Sequence, residues 1–146
     1  MQAATFIFTT LCLSLIAYAD KPSDNPARKR LLETGQCPVC DLRNADLSNQ
    51  ALIGANLAGA DLSGAQLKNT NLRGANLQGA TLLKLDLTET YLAGANLKYA
   101  DLSDQDIDLT FEYVEIIGTQ LEGARFKYGV TCGASPDKGG WGCQAL

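Results

Sequence analysis

The sequence predicts an all-β solenoid, a square tube whose chain turns a corner every five residues. Three observations predict it. From Leu42 to Ile107 every fifth residue is Leu or Ile: Leu42, Leu47, Leu52, Leu57, Leu62, Leu67, Leu72, Leu77, Leu82, Leu87, Leu92, Leu97, Leu102 and Ile107. Two places before each stands a small residue, mostly Ala (Ala45, Ala55, Ala60, Ala65, Ala75, Ala80, Ala95, Ala100), and one place before stands a short polar one, mostly Asp or Asn. Two places after stands Gly or Asn in most repeats (Asn44, Asn49, Gly54, Gly59, Gly64, Asn69, Gly74, Gly79, Gly94, Gly118, Gly123), and no Pro occurs between Asp41 and Tyr128. A period of five suits neither a helix, at about 3.6, nor a strand, at about 2. It suits a backbone that bends once per repeat. Four bends close a coil of roughly 20 residues, and stacked coils pair edge to edge ~4.8 Å apart. Leu and the preceding small residue point inward, where a narrow close-packed tube admits little else. Gly and Asn accept the positive φ of a type II turn. The absence of Pro leaves each N–H free for a ladder.

Each element follows in order. Residues 1–19 read as a secretory signal: the apolar run Ala3 to Ala17 ends in the A-x-A site Ala17-Tyr18-Ala19, followed by Asp20. The n-region lacks Lys and Arg, a departure from the usual signal. The run is too short to span a bilayer, so no stable membrane insertion is expected after cleavage; an uncleaved anchor is the alternative. Residues 20–36 are a lead-in and capping helix, with Asn25 as N-cap, Pro26 at its first position and Gly35 as its stop. Leu31 and Leu32 give it an apolar face for the raw end of a solenoid. Arg28, Lys29 and Arg30 read as a solvated face, with an anionic surface as the alternative partner. Residues 37–128 form the repeats. After Ile107 the inward series continues as Phe111, Ile116, Leu121 and Phe126, so one repeat has four residues and a bulge is expected near Asp108–Thr110. Residues 129–146 leave the pattern and are rich in Gly; they are expected to form a loop closing the far end, with Trp141 over the last coil.

The segments ADLSN (45–49), ANLAG (55–59), ADLSG (60–64), ANLQG (75–79) and ANLKY (95–99) resemble the A-(D/N)-L-x-x motif of the pentapeptide-repeat family. The resemblance covers residues 40 to 128. It implies a right-handed quadrilateral β-helix, here of about 4.5 coils, between an N-terminal helical cap and a C-terminal disulfide loop.

Cysteine usage fits an exported protein. Cys12 would leave with the signal, and Cys37, Cys40, Cys132 and Cys143 remain, an even number that suits disulfides. The repeats separate the two pairs by roughly 20 Å, whereas a disulfide needs Cα atoms within about 7 Å. The expected bonds are therefore Cys37–Cys40 and Cys132–Cys143. Cys37-Pro38-Val39-Cys40 is a C-x-x-C; a structural disulfide is favoured over a redox pair or half of a metal site.

No catalytic, cofactor-binding or metal site is expected. The chain has no His, which removes Ser-His and Cys-His pairs and imidazole ligands. Carboxylates stand on convex faces around a filled tube, where no concave site forms. Asp104, Asp106, Asp108, Glu112 and Glu115 have the spacing of an EF-hand loop, but Leu109 stands where that loop needs Gly. They read as solvated. Asn56, Asn76 and Asn96 lie 20 apart and could stack as an amide ladder, while Asp41, Asp61 and Asp101 share one face and Asp46, Asp86 and Asp106 another.

Two functions follow from the resemblance. The first is a non-enzymatic structural or scaffolding module, monomeric or weakly associating end to end, that binds an unknown protein in the periplasm or thylakoid lumen. The second is a DNA mimic that inhibits or protects a DNA topoisomerase. The export signal, the short length and a net charge of only −4 argue against the second. A mimic must match a duplex bearing a charge every ~1.7 Å.

Overall fold

The computed structural model describes residues 25–105, 117–133 and 143–145. The expected signal at 1–19, the EF-hand-like residues from Asp106 onward and Trp141 lie outside these residues.

The repeat motif is explained by where its five backbone N–H groups go. In Ala75–Gly79, the Ala75 N–H closes the preceding turn on the Leu72 carbonyl (3.0 Å). Asn76 donates down to Ala55 (2.9 Å), while Leu77 and Gly79 donate up to Asn96 and Lys98 (2.8 Å each). The remaining donor, Gln78, is taken by the Asn76 side-chain oxygen (3.2 Å). Every donor is satisfied, as a backbone without room for water requires. The Asp or Asn of the motif is thus a local acceptor, Leu and Ala fill the interior, and the corner residue turns the chain.

Parallel bridges fix the coil. Gln36 pairs with Asn56, Asp41 with Asp61, Asp46 with Gln66 and Ala51 with Asn71, so four sides close in 20 residues before the next layer begins. Leu47, Leu52, Leu57, Leu62, Leu67, Leu72, Leu77, Leu87, Leu92, Leu97 and Leu102 are all buried in one continuous core, together with Leu42, Leu82 and the alanines. Thr70, Thr90 and Thr119 take the small inward position in three repeats. Each would strand a hydroxyl, and each instead donates it to a backbone carbonyl below: Leu47 (2.7 Å), Leu67 (3.1 Å) and Leu92 (2.8 Å).

The corners hold positive φ at Gly and Asn, including Gly74 (65°) and Asn69 (57°), but also at Val39 (54°), Lys84 (54°), Glu89 (61°) and Tyr99 (59°). The corner is set by the ladder and not by its residue. Gly123 has a separate reason to be Gly: Tyr99 of the coil below lies across it, in the space a Cβ would need.

The expected slip of register is present in the pairing, and it comes with a longer coil. The offset is 20 as far as Thr81 with Asp101, but Asn96 pairs with Gln120 and Asp101 with Arg125, an offset of 24. The coil gains four residues between Gln105 and Ile117 and is not shortened by one. Sequence matching is blind here, because Leu121 meets a leucine either way, Leu102 under the shorter coil and Leu97 under the longer. The longer coil sets Gly118 over Gly94 and joins Arg125 to Asp101 (2.6 Å). Leu121 and Phe126 remain buried.

Two different structures meet the ends. Helix α1 (Pro26–Thr34) is capped by the Asn25 side chain, which accepts from Ala27 and Arg28, and stops at Gly35 (φ 67°). It lies on the first coil through buried Leu31, and Arg28 Nε and Asn25 Nδ2 donate to the Asp46 and Asp41 carbonyls. At the far end β1 (Asp101–Leu102) pairs in parallel with β2 (Arg125–Phe126). A 3-10 turn at Lys127–Gly129, with Tyr128 at φ 59°, then reverses the chain. β3 (Val130–Cys132) and β4 (Cys143–Ala145) extend the sheet antiparallel, where the sequence predicts an irregular loop. Reversal gives the last coil edge a hydrogen-bonding partner, which an open sheet edge otherwise lacks.

Candidate functional site

Reading outward residues along the bridges gives the tube four distinct sides. The first stacks Asp41, Asp61, Thr81, Asp101 and Arg125; the second Asp46, Gln66 and Asp86; the third Ala51, Asn71 and Tyr91; the fourth Asn56, Asn76, Asn96 and Gln120.

Sides one and two carry the carboxylates, and most of these are occupied. Arg43 grips Asp41 with Nε and Nη2 (2.8 and 2.6 Å) and lies 3.8 Å from Asp61. That side-chain contact and the Arg43 backbone N–H hold the Asp41 carboxyl down at about 2. The Ser48 backbone N–H holds Asp46 below the usual carboxylate range, and hydrogen bonds from the Thr88 side chain and backbone do the same for Asp86. Lys68 stands 3.6 Å from Glu89. The Asp104 carboxylate accepts the Lys84 backbone N–H. It is the one EF-hand-like acid within the described residues, and it is engaged in the fold. Among the described residues no group of three His, Cys, Asp or Glu could hold a metal ion, and no helix is long and apolar enough to cross a membrane.

Sides three and four are close to neutral. Their described carboxylate, Glu122, is paired with Lys98 (2.9 Å). The expected amide ladder is present: Asn76 Nδ2 donates to Asn56 Oδ1 (3.5 Å), and Asn96 Nδ2 to Asn76 Oδ1 (3.2 Å). Between these sides runs a corner of Gly54, Gly74, Gly94 and Gly118, all at positive φ. Beside it stand Ile53 and Ile117, 66% and 80% exposed, with Ala93 and Arg73 between them and Arg73 over the Tyr91 ring. Tyr99 and Val39 are exposed at the next corner. Apart from Tyr128, beyond the last coil, the large exposed apolar groups of the coils therefore gather on one half of the surface, the pattern that marks interaction sites. Sequence reasoning missed this ridge. Adding 20 to Ile53 reaches Arg73 and Ala93, but Ile117 joins the column only through the 24-residue step.

The four described cysteines stand at the two ends. Cys37 and Cys40 are bonded and buried, below Leu57 and Ala60 respectively. Cys132 and Cys143 are bonded and face each other across β3 and β4.

The description of the pentapeptide repeats family matches residues 40–79 and 70–106, with 8 copies. Among solved structures the chain is similar to a pentapeptide repeat protein of Nostoc PCC 7120, at 32% identity over 67% of this chain and 75% of that one, with a TM-score of 0.55. A pentapeptide repeat protein of the Arabidopsis thaliana thylakoid lumen shares 26% identity over 62% of this chain and 65% of its own, at a TM-score of 0.27. QnrB1, a plasmid-mediated fluoroquinolone resistance protein, shares 16% over 63% and 55%, at 0.40. No curated protein sequence gives a significant match. The repeats, the four-sided ladder and the Nostoc relative together establish that the chain belongs to the pentapeptide repeat family and folds as a right-handed quadrilateral β-helix.

Proposed function

We propose that this protein is a non-enzymatic interaction module working outside the cytoplasm, in a periplasm or thylakoid lumen, and that it binds a protein partner through the neutral ridge of sides three and four. The helix α1 and the disulfide-tied β3 and β4 act as end caps, so that the rod stays monomeric or associates only weakly end to end. The observation that carries the reading is the segregation of the surface. Exposed Ile53, Tyr91 and Ile117 gather beside a bare glycine corner, while the carboxylates of the other half are spent on neighbouring donors. A DNA mimic would need unpaired charge spread along the rod. Here four of the 12 acidic residues between 41 and 128, and none of the 7 basic ones, fall within 106–116, so the acid excess is concentrated in one stretch.

The test has two arms. A reporter fused to residues 1–25 should be exported; cytoplasmic retention would remove the compartment from the reading. Immobilised protein should capture a partner from that compartment, and Ile53→Asp with Ile117→Asp should abolish capture while Asp61→Asn with Asp86→Asn leaves it. The reverse order of effects, or inhibition of a DNA topoisomerase by the purified chain, would overturn the proposal.

A further inference from the structure

The Cys37–Cys40 bond occupies a position where the fold does not require a bond. Directly above, Leu57 and Ala60 fill the same two inward places, and their turn closes on its own hydrogen bond, Ala60 N–H to the Leu57 carbonyl (3.0 Å). Two free thiols would fit where Cys37 and Cys40 stand, without loss of the coil. Helix α1 does not depend on the bond either, since Leu31, Arg28 and Asn25 hold it to the first coil.

One contact favours the opened pair, and the turn between the cysteines supplies a control for it. Arg30, at the surface of α1, donates from Nη2 to Cys40 Sγ and lies 3.5 Å from Cys37 Sγ. A guanidinium on a sulfur stabilises the thiolate and with it the reduced form. Between the cysteines stands Val39, at φ 54° and 81% exposed. A β-branched residue in the left-handed region is strained, and Gly59 and Gly79 hold the same corner in the coils above. The Val39 N–H donates to the Ala58 carbonyl (2.8 Å), so the ladder holds this turn whether the pair is bonded or open.

We infer that Cys37–Cys40 is a dithiol–disulfide exchange site poised by Arg30, whose reaction partner is an external dithiol. Cys40, 6% exposed against 0% for Cys37, is the sulfur that is attacked. The dithiol's thiolate bonds to Cys40 Sγ, and the Sγ–Sγ electron pair leaves on Cys37, which takes a proton. The dithiol's second sulfur then attacks the mixed disulfide. The dithiol departs oxidised as a disulfide, and Cys40 remains as a thiolate held by Arg30.

The experiment equilibrates the full-length protein in graded mixtures of reduced and oxidised dithiothreitol and reads each cysteine by differential alkylation and peptide mass. The Cys37–Cys40 pair should reduce while Cys132–Cys143 stays oxidised and the amides around Leu72 stay protected from exchange. Arg30→Gln should shift the midpoint about tenfold toward stronger reductant, ~30 mV for a two-electron couple, and Arg30→Lys should recover part of it. Val39→Gly removes strain that the ladder imposes on both forms and should leave the midpoint unmoved. An unmoved midpoint in Arg30→Gln, or loss of central protection on reducing this pair, would overturn the inference and leave a structural disulfide.

Discussion

The two halves of the surface solve one backbone problem with different atoms. On side one the Asp61 oxygen accepts the Ser63 N–H (3.0 Å); on side four the Asn76 oxygen accepts the Gln78 N–H (3.2 Å). The turn does not distinguish acid from amide. The stack does. Amides donate to one another, so Asn56, Asn76 and Asn96 run up the tube unaided. Carboxylates cannot, and Asp41 and Asp61 stack with Arg43 reaching both. The choice of Asp or Asn is therefore a choice about the surface, made at nearly no cost to the fold. An acidic half needs cations to close it, and an amide half remains neutral.

Both halves share one interior, so the largest effect should come from there. Leu72 is 1% exposed. Leu72→Asp would bury a charge with no partner, costing several kcal/mol, about the whole stability of a small domain. Cooperative thermal unfolding should vanish; a melting point within a few degrees of the parent would place Leu72 elsewhere. The corners come next, and there a glycine corner and a non-glycine corner should respond in opposite directions. Gly74→Val forces a β-branched residue to φ 65° and should destabilise by about 1–3 kcal/mol. Glu89 already bears that strain at φ 61°, so Glu89→Gly should be neutral to stabilising by about 0.5 kcal/mol, despite losing its exposed contact with Lys68. Denaturant midpoints that fall equally in both variants would show that corner φ is not what separates them.

A smaller effect tests the amide stack itself. Asn76→Asp keeps the oxygen that serves Gln78 and Asn96 but loses the donor to Asn56. A loss of about 0.5–1.5 kcal/mol is expected, whereas Asn71→Asp, at a position bonded to the Arg73 N–H, should cost less. Equal losses would mean that the ladder contributes nothing beyond the local turn.

How much of this was legible depended on period. The inward leucines repeat every five residues, so Leu47 to Leu102 could be placed by counting. Asn25, Pro26 and Gly35 marked the helix because caps are local chemistry. Four things were not legible. Val39, Lys84, Glu89 and Tyr99 take a corner conformation that their own preferences oppose, and only the ladder imposes it. The buried hydroxyls of Thr70, Thr90 and Thr119 find carbonyls in the coil below, a contact across more than 20 residues. The 24-residue coil and the antiparallel β3 and β4 are choices of pairing partner, which residue type alone leaves open. The neutral ridge was hidden for the same reason, since its column crosses that coil.

The smallest expected effect separates the halves by pH. Asp41 is held at about 2 by Arg43, and Asp46 and Asp86 are held low by Ser48 and Thr88. In the unfolded chain each would titrate near 3.9. As pH falls below about 4, the unfolded state takes up protons before the folded state does. The contribution of these groups is thus fully present above that pH and is lost as pH approaches 2. On side four the turn acceptors Asn56, Asn76 and Asn96 are amides, which do not titrate in this range. Asp41 and Asp86 are exposed and Asp46 is half-buried, so the slope of the thermal midpoint between pH 5 and 2 should be shallow. The combined Asp41→Asn, Asp46→Asn and Asp86→Asn variant retains an oxygen for each turn but no charge, and its midpoint should decline less over that window. An identical slope in the variant would mean that acid sensitivity arises elsewhere in the chain, and the difference between the halves would then be one of contact surface alone.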